Sequence, residues 1–377
     1  MDGHTGGTMG APPLRLVFWE LTQGCNLACK HCRAEAQPER APDELSTAEC
    51  LAVVDQITAV SKPVLILTGG EPLYRPDLLE IAAYANAKGA RVCLATNGTL
   101  LTDDLAQKLQ AAGIKRVAIS IDGATPQTHD AFRGIPGSWA KALEGAMAAQ
   151  KAGMQLQFNM TVAQHNKAEL PAILRLAEER GAEACHLFVL VPVGCGVQIA
   201  AREMLSAEEV EAVLEWLYEV SERTTLEVRS TCAPQYHRIM RQQGGAGAVM
   251  RARHSAETAL GGHTHGAPGN RAAGSRGCLA GTSVCFISHN GTVQPCGYLP
   301  IPAGSLRQQS FGEIWADSPL FQQLRDPDLL GGKCGECEYR VVCGGCRARA
   351  YYEHGHYLAE EPYCAYQPGA QRGGGSL

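Results

Sequence analysis

The segment WELTQGCNLACKHCRA, Trp19 to Ala34, is the most informative stretch of this sequence. It holds Cys25, Cys29 and Cys32 in a C-x3-C-x2-C spacing, directly after a strand-like apolar run, Leu14 to Leu21. Three thiolates on one short loop can bind three irons of a cubic iron–sulfur cluster, because soft thiolate is the ligand that such clusters prefer. The fourth iron of the cluster is then left without a protein ligand.

This open iron suggests a specific chemistry. It can chelate the amino and carboxylate groups of S-adenosylmethionine (SAM), and one electron from the cluster then cleaves the sulfonium to a 5′-deoxyadenosyl radical. The alternative is a zinc site with His31 or a distant cysteine as the fourth ligand. Zinc is less favoured, because a structural zinc site does not explain the glycine-rich and polar segments that follow the next strands.

Length, composition and charge exclude several classes of protein. A chain of 377 residues with 45% hydrophobic residues predicts one large and one smaller domain with a true core. The formal charge of -5 argues against a nucleic-acid partner. No apolar run approaches a membrane span, and the start of the sequence lacks a signal pattern, so we expect a cytoplasmic protein without a membrane span.

Sixteen cysteines favour metal ligation over disulfides in a reducing compartment. Three lie in the opening loop and eight lie between Cys278 and Cys364. Five others are scattered, namely Cys50, Cys93, Cys185, Cys195 and Cys232. Burial as small apolar side chains is the better interpretation for Cys50, Cys93 and Cys185, whereas Cys232 can be a thiolate ligand or a hydrogen donor.

From Leu14 to about Val193, short apolar runs alternate with amphipathic ones. The predicted strands are Leu14 to Leu21, Pro63 to Thr68, Arg91 to Ala95, Arg116 to Ile121, Gln155 to Val162 and His186 to Val191. Helices predicted between and after them are Ser46 to Val60, Pro76 to Lys88, Thr102 to Ala112, Trp139 to Ala152, Lys167 to Arg180, Ser206 to Val220 and Phe311 to Leu324, with Ser46, Thr102 and Ser206 as N-caps. Six strand–helix repeats indicate an α/β fold with a parallel sheet, closed as a six-stranded partial barrel. The expected units are a flexible terminus (1–13), the partial barrel (14–200), a linker helix and mobile loop (201–277), a cysteine-rich domain (278–368) and a flexible tail (369–377).

In such folds the chemistry gathers at the carboxyl ends of the strands. The cysteine loop follows the first strand, and Gly69-Gly70-Glu71-Pro72 follows the second. These glycines let the backbone approach a small ligand, so that carbonyls and the Glu71 carboxylate can take the methionine ammonium of SAM. Further polar side chains suited to the ribose hydroxyls and the SAM carboxylate are Asn97, Ser120 and Asn159. Asp122 is expected to shape its turn.

The carboxyl-terminal cysteines form a second constellation. Eight thiolates suit two cubic clusters with four protein ligands each, although two structural zinc ribbons would satisfy the same count. Iron–sulfur clusters are favoured over zinc ribbons, because the one-electron chemistry expected at the opening loop needs an electron carrier nearby. The eight are Cys278, Cys285, Cys296, Cys334, Cys337, Cys343, Cys346 and Cys364.

The C-x3-C-x2-C loop and the Gly-Gly-Glu-Pro turn resemble those of radical SAM enzymes, and the carboxyl-terminal segment resembles their SPASM extension. The resemblance implies three [4Fe-4S] clusters, one binding SAM and two auxiliary. It also implies that Cys278, Cys285, Cys296 and Cys346 hold the first auxiliary cluster, and that Cys334, Cys337, Cys343 and Cys364 hold the second. The sequence departs from the SPASM pattern where two residues, not three, separate Cys343 from Cys346.

Three further segments are CLAGTSVCFISHNGTVQPCGYLP from Cys278, KCGECEYRVVCGGCRARAYYEHGHYLAEEPYC from Lys333 and TCAP from Thr231. Together with the core domain they resemble, over nearly the whole chain, the radical SAM enzymes of the alternative haem pathway, especially those that oxidatively decarboxylate iron-coproporphyrin III. This resemblance implies an iron-porphyrin substrate and an electron donor such as ferredoxin or flavodoxin. A substrate with four carboxylates needs cationic partners. The arginines near the predicted site loops are Arg33, Arg133, Arg229, Arg238, Arg276, Arg347 and Arg349.

Three other functions stay open. One is a sister reaction on a sirohaem-derived tetrapyrrole, such as a haem d1 precursor. Another is modification of a ribosomal peptide, which normally needs an amino-terminal docking domain for which the thirteen residues before the first strand leave no room. The third is a scaffold of iron–sulfur or zinc sites without catalysis.

Overall fold

The computed structural model describes residues 11–244 and 276–369. Most of the expected mobile loop, together with much of both expected flexible termini, lies outside the described residues. Within those ranges, no helix combines the length and the apolar character needed to cross a membrane.

One sheet of ten strands organises the described part of the chain. In chain order the strands are β1 (Leu16–Glu20), β2 (Val64–Thr68), β3 (Arg91–Thr96), β4 (Arg116–Ser120), β5 (Gln155–Val162), β6 (Ala184–Val189), β7 (Glu227–Thr231), β8 (Val284–Ile287), β9 (Thr292–Gln294) and β10 (Gly304–Ser305). Their spatial order is β10-β9-β8-β1-β2-β3-β4-β5-β6-β7. Strands β1 to β7 pair in parallel, β8 is parallel to β1, and the β8–β9 and β9–β10 pairs are antiparallel.

Helices connect and cover these strands. They are α1 (Thr47–Val60), α2 (Leu78–Ala87), α3 (Asp103–Ala111), α4 (Pro126–Arg133), α5 (Ser138–Lys151), α6 (Leu170–Glu179), α7 (Gly196–Glu203), α8 (Ala207–Ser221), α9 (Gln235–Gln242), α10 (Phe311–Asp317), α11 (Pro319–Arg325), α12 (Gly332–Glu336) and α13 (Arg347–His354). Parallel strands joined by helices confirm the predicted α/β fold.

The six predicted strands all form, within two residues of the predicted bounds. The predicted helix starts are also present. Ser46 and Ser206 each form a capping box with the glutamate three residues later, and the Thr102 hydroxyl accepts the Leu105 N–H. These caps satisfy backbone donors that a helix leaves unpaired at its start.

The strand–helix repeat continues one unit beyond the prediction. Strand β7 pairs in parallel with β6, with helix α8 as the crossover. The expected boundary near residue 200 therefore does not coincide with the end of the sheet. The helical stretch predicted from Phe311 to Leu324 is two helices, because Pro319 starts a new helix after Ser318.

The cysteine-rich segment is built onto the same sheet. Strand β8 lies beside β1 with Leu16 opposite Val284, and the Phe311 N–H donates to the Gln56 side chain of α1 at 2.8 Å. In β1, Val17 and Trp19 are fully buried under the helices, while Phe18 alternates with them on the inner face. The inner face and the carboxyl ends of the strands are thus left for the site.

Candidate active site

The loop after β1 presents three cysteine side chains and is tied down on both sides. The Cys25 N–H donates to the Gln37 carbonyl at 2.7 Å, and the Cys32 N–H donates to the Cys29 carbonyl at 3.1 Å. Helix α4 supports the loop as well, since the Ala28 N–H donates to the Arg133 carbonyl at 3.2 Å. The three cysteines are therefore held on one ordered turn.

Each of the three sulfurs accepts an N–H group. Leu27 N–H lies 3.4 Å from Cys25 Sγ, Ala36 N–H lies 3.4 Å from Cys32 Sγ, and Arg133 Nη1 lies 3.7 Å from Cys29 Sγ. Such donors stabilise thiolates and tune clusters. Burial raises the pKa of the Cys25 thiol to about 12. A thiolate at this position therefore needs a bound cation, which iron would supply.

The glycine turn after β2 lies directly against this loop. Gly70 N–H donates to the Thr22 carbonyl at 2.7 Å, and Glu71 N–H donates to the Gly24 carbonyl at 2.8 Å. A Cβ atom on Gly69 would lie 2.7 Å from the Thr22 carbonyl oxygen. Glycine is thus required here by close approach of two backbones.

Glu71 is fully buried and braces the end of the neighbouring strand. Its carboxylate accepts the Thr96 hydroxyl at 2.7 Å, the Asn97 N–H at 2.8 Å and the Leu73 N–H at 3.1 Å. Burial raises the pKa of Glu71, and these donors oppose that rise. A carboxylate already positioned in this way is suited to meet a ligand ammonium group.

Asn97 joins the end of β3 to the cysteine loop. Its Nδ2 donates to Asn26 Oδ1 at 2.9 Å, and its Oδ1 accepts the Thr99 hydroxyl at 2.7 Å. The same Nδ2 lies 3.9 Å from Cys25 Sγ. The structure therefore brings the first three groups of predicted site residues together: the cysteines, the glycine turn and Asn97.

Ser120 and Asn159 lie further round the inner face. They stand opposite each other in the β4–β5 register, and the row continues to His186 on β6 and Arg229 on β7. His186 was not expected from the sequence, although period-two alternation along β6 would have placed it on this face. Burial lowers the pKa of His186 to about 3, so its imidazole is neutral.

Asp122 shapes its turn, as expected, and also orients a cation. One carboxylate oxygen accepts the Thr161 N–H at 2.7 Å, and the other lies 2.6 Å from Arg133 Nε. Burial raises the pKa of Asp122, but the Arg133 charge, together with His31, His129 and the Thr161 N–H, outweighs burial, and the net pKa lies below the ordinary value. Arg133 is thus fixed between Asp122 and Cys29.

A second group of thiols surrounds one cavity in the carboxyl-terminal segment. Its cysteines are the four expected for the second auxiliary cluster, Cys334, Cys337, Cys343 and Cys364. The Glu361 N–H lies 3.2 Å from Cys334 Sγ, and the Gly345 N–H lies 3.5 Å from Cys343 Sγ. The donor set fits a cubic cluster with four thiolate ligands.

A third group contains only three of the four cysteines expected for the first auxiliary cluster. Cys278, Cys296 and Cys346 lie within electrostatic range of one another. Cys285 does not join them: it lies inside β8 opposite Val17, fully buried, and burial alone raises its pKa. The expected ligand role of Cys285 therefore conflicts with its position, because strand alternation turns its side chain into the apolar core.

Comparison with known proteins finds matches to both parts of the chain. Residues 19–177 match the model of the radical SAM superfamily, and residues 278–346 match that of the SPASM iron–sulfur cluster-binding domain. An AdoMet-dependent heme synthase of Methanosarcina barkeri is 48% identical over 94% of this chain and 97% of its own length. One from Oleidesulfovibrio alaskensis is 45% identical over 95% of this chain and 89% of its own length.

The chain belongs to the radical SAM family with a SPASM domain. A solved structure, Streptococcus suis SuiB bound to S-adenosylmethionine, shares the fold with a TM-score of 0.70 over 94% of this chain and 78% of that one, at 14% identity. The cofactors of this radical SAM protein are therefore SAM, the [4Fe-4S] cluster that binds it, and auxiliary iron–sulfur clusters. Which residues hold each cluster stays a prediction.

The short Cys343–Cys346 spacing in the SPASM domain has a physical explanation. The two intervening residues, Gly344 and Gly345, both have left-handed backbones, with φ of +74° and +59°. This conformation is open to glycine at little cost. The resulting turn lets Cys343 line one cavity while Cys346 joins the other group of thiols.

Proposed function

We propose that this radical SAM/SPASM protein is a haem synthase that converts iron-coproporphyrin III to haem b by oxidative decarboxylation of two propionates. The observation that carries the proposal is identity of 45–48% to AdoMet-dependent heme synthases over nearly the whole chain, across both cluster-binding domains. The proximity of the three cysteines, the glycine turn and Asn97 supports the proposal.

When bound, SAM and its cluster supply an adenosyl radical that takes a hydrogen atom from a propionate β-carbon, after which loss of carbon dioxide and one electron leaves a vinyl group. In the proposal, Cys25, Cys29 and Cys32 hold that cluster. The residues that bind SAM are Gly69, Gly70, Glu71, Asn97, Ser120 and Asn159. Glu71 and the glycine turn receive the ammonium group, since both are already fixed against the cysteine loop.

Arg229 is the best candidate for a substrate carboxylate. Its Nε pairs with Glu227 at 2.7 Å, yet its side chain is still 40% exposed on the inner face. It stands in register with His186 and, one strand further, with Asn159, which places it about 10 Å from a proposed SAM contact. A propionate beside SAM can therefore reach it.

The other candidate arginines also hold structural partners, and those in ion pairs are less exposed than Arg229. Arg33 pairs with Glu20, Arg133 with Asp122, Arg238 with Glu211 and Arg349 with Glu361, while Arg347 donates to three backbone carbonyls and Arg276 to one. Among these pairs the arginine side chains are at most 20% exposed. Breaking such a pair to bind substrate would leave a buried carboxylate uncompensated.

A direct contact supports electron transfer from the substrate to an auxiliary cluster. A Cβ atom on Gly297 would lie 3.2 Å from Arg33 Cδ, so the residue after Cys32 touches the residue after Cys296. The Arg33 guanidinium also stacks on Phe286 at 4.5 Å. The two cysteine loops are thus adjacent.

We further propose a ferredoxin or flavodoxin as external electron donor and a cytoplasmic location.

The decisive experiment is anaerobic. The clusters are reconstituted, SAM, a reductant and iron-coproporphyrin III are added, and products are followed by mass spectrometry. Haem b formed through a monovinyl intermediate, with 5′-deoxyadenosine, is the expected result. Deoxyadenosine without any change in the porphyrin would refute this substrate, and sirohaem-derived tetrapyrroles and then peptides would be tested.

The role of Arg229 is tested separately by absorbance titration with the porphyrin. Arg229→Gln should weaken binding roughly 10- to 100-fold, the loss expected for one charge-assisted hydrogen bond. Arg202→Gln, on the exposed side of α7, is the matched control and should leave affinity unchanged. Equal affinity of both variants would exclude a contact between Arg229 and the substrate.

A further inference from the structure

The turn after β7 holds a cysteine in a strained conformation. Cys232 has φ of +59°, and within the described ranges only one other non-glycine residue, Glu35, has positive φ. A left-handed backbone is costly for a residue with a side chain, and such strain persists where the surroundings enforce it, often at functional sites. The strained residue here is one that can bind a metal.

This turn packs directly against the start of the SPASM domain. A Cβ atom on Gly277 would lie 2.7 Å from Pro234 Cβ and 2.8 Å from the Pro234 carbonyl oxygen. Gly277 precedes Cys278, and its N–H donates to the Val342 carbonyl at 2.6 Å. The Cys232 turn is therefore wedged beside the segments that carry the auxiliary cysteines.

Cys232 is the cysteine that accompanies the incomplete thiol group. Its thiol lies within electrostatic range of Cys346, Cys296 and Cys278, the same three that lie near one another. Cys285, by contrast, has no thiol among the groups that shift its pKa, and its side chain lies in β8 within the apolar core. This group of thiols thus has four members. The fourth is Cys232, whereas the resemblance to the SPASM extension implied Cys285.

We propose that Cys232 is the fourth thiolate ligand of the first auxiliary cluster, in the place expected for Cys285. The ligand set is then Cys232, Cys278, Cys296 and Cys346, and the cluster joins the end of a barrel strand to the SPASM domain. Full thiolate ligation leaves no iron open to substrate, which suits a cluster that only accepts electrons. The ligand assignment concerns only the auxiliary cluster, so it holds whether or not the porphyrin is the substrate.

The test uses the full chain with Cys25, Cys29 and Cys32 all changed to Ala, so that only auxiliary clusters remain. Cys232→Ala and Cys285→Ala are compared in this background by iron and sulfide analysis and by Mössbauer and EPR spectroscopy. Cys232→Ala should lose about four irons per chain or give a three-iron signal. Cys285→Ala should match the parent in iron content and spectra.

Two further outcomes decide the case if Cys232→Ala folds poorly. Cys232→Ser keeps the size of the side chain and offers an oxygen ligand, so the cluster should form with a changed EPR spectrum and a shifted reduction potential. A Cys232→Ser protein with the iron content, spectrum and potential of the parent would overturn the proposal. So would loss of the cluster in Cys285→Ala while circular dichroism shows an intact fold.

Discussion

Substituting Gly70 by Ala should slow SAM cleavage strongly without removing any thiolate ligand of the cluster. A Cβ atom there would lie 2.6 Å from the carbonyl oxygens of both Gln23 and Gly24, and 3.0 Å from Cys25 Cβ. Ordinary contact begins at 3.4 Å, so the turn and the cysteine loop must separate by the difference, 0.8 Å. Both sides are backbone, and neither can yield as a flexible side chain would.

The magnitude follows from what that shift disturbs. Overpacking of this kind costs about 1–3 kcal/mol, and the backbone hydrogen bonds from Gly70 and Glu71 to the cysteine loop, about 1 kcal/mol each, are stretched. Displacing a reactive group by nearly 1 Å lowers a rate by about 100-fold. We therefore expect SAM cleavage to fall about 100-fold, together with weaker SAM binding.

The assay is formation of 5′-deoxyadenosine under reduction, with iron content measured in parallel. The matched control is Gly312→Ala in α10, where the added Cβ meets only Val60 Cγ2 at 3.7 Å, an ordinary contact. Helix propensity predicts that this control is stabilised by no more than about 1 kcal/mol and cleaves SAM normally. Gly70→Ala with the parent's rate and SAM affinity would refute the proposed fit between the turn and the cysteine loop.

Two more predictions concern the SPASM domain. Glu361→Leu should destabilise the domain by about 3–5 kcal/mol, because the buried Arg349 loses its partner. The double variant Arg349→Met, Glu361→Leu should recover part of this loss. If the free energies of unfolding of the two single variants, measured by chemical unfolding, simply added up in the double variant, the pairing would be contradicted. His289→Gln should lower thermal stability most at acid pH. Hydrogen bonding to Glu20 raises the pKa of His289 above 6.5 in the folded protein. The ion pair therefore stabilises the fold fully below pH 6.5, and this stabilisation is lost as the pH rises through the raised pKa. A stability difference between the parent and His289→Gln that does not shrink at alkaline pH would exclude this role.

The sequence predicts the parts of the fold that are governed by local patterns. Apolar runs bounded by glycine and capping residues give strands β1 to β6 and the starts of α1, α3 and α8. Helices α4, α7, α9 and α13 were missed because each has only eight residues, too few for a clear period. Strand β7 was not predicted, because Glu227, Arg229 and Thr231 put polar side chains on the inner face and remove the apolar signal.

The candidate site divides in the same way. The cysteine loop, the glycine turn and Asn97 are readable because each motif is continuous and follows a strand that the pattern predicts. The sequence does not predict the place of His186 in the site, or which of Cys232 and Cys285 is a cluster ligand. Both depend on which face a strand presents and on contacts between residues that are distant in sequence. The resemblance to the SPASM extension implied Cys285, whereas we propose Cys232 from its position beside Cys278, Cys296 and Cys346.

The position of Cys232 also bears on how the barrel is closed. Strand β7 ends one side of the parallel sheet, whereas β8 and its hairpin extend the other side beyond β1. Cys232 and Pro234 follow β7, whereas Gly277 and Cys278 precede β8, yet a Cβ atom on Gly277 would lie only 2.7 Å from Pro234 Cβ. The two sides of the open sheet therefore approach each other at this group of thiols. A cluster bound there would fasten the barrel as well as accept an electron, so the same four thiolates would fix the distance between the radical site and its electron acceptor.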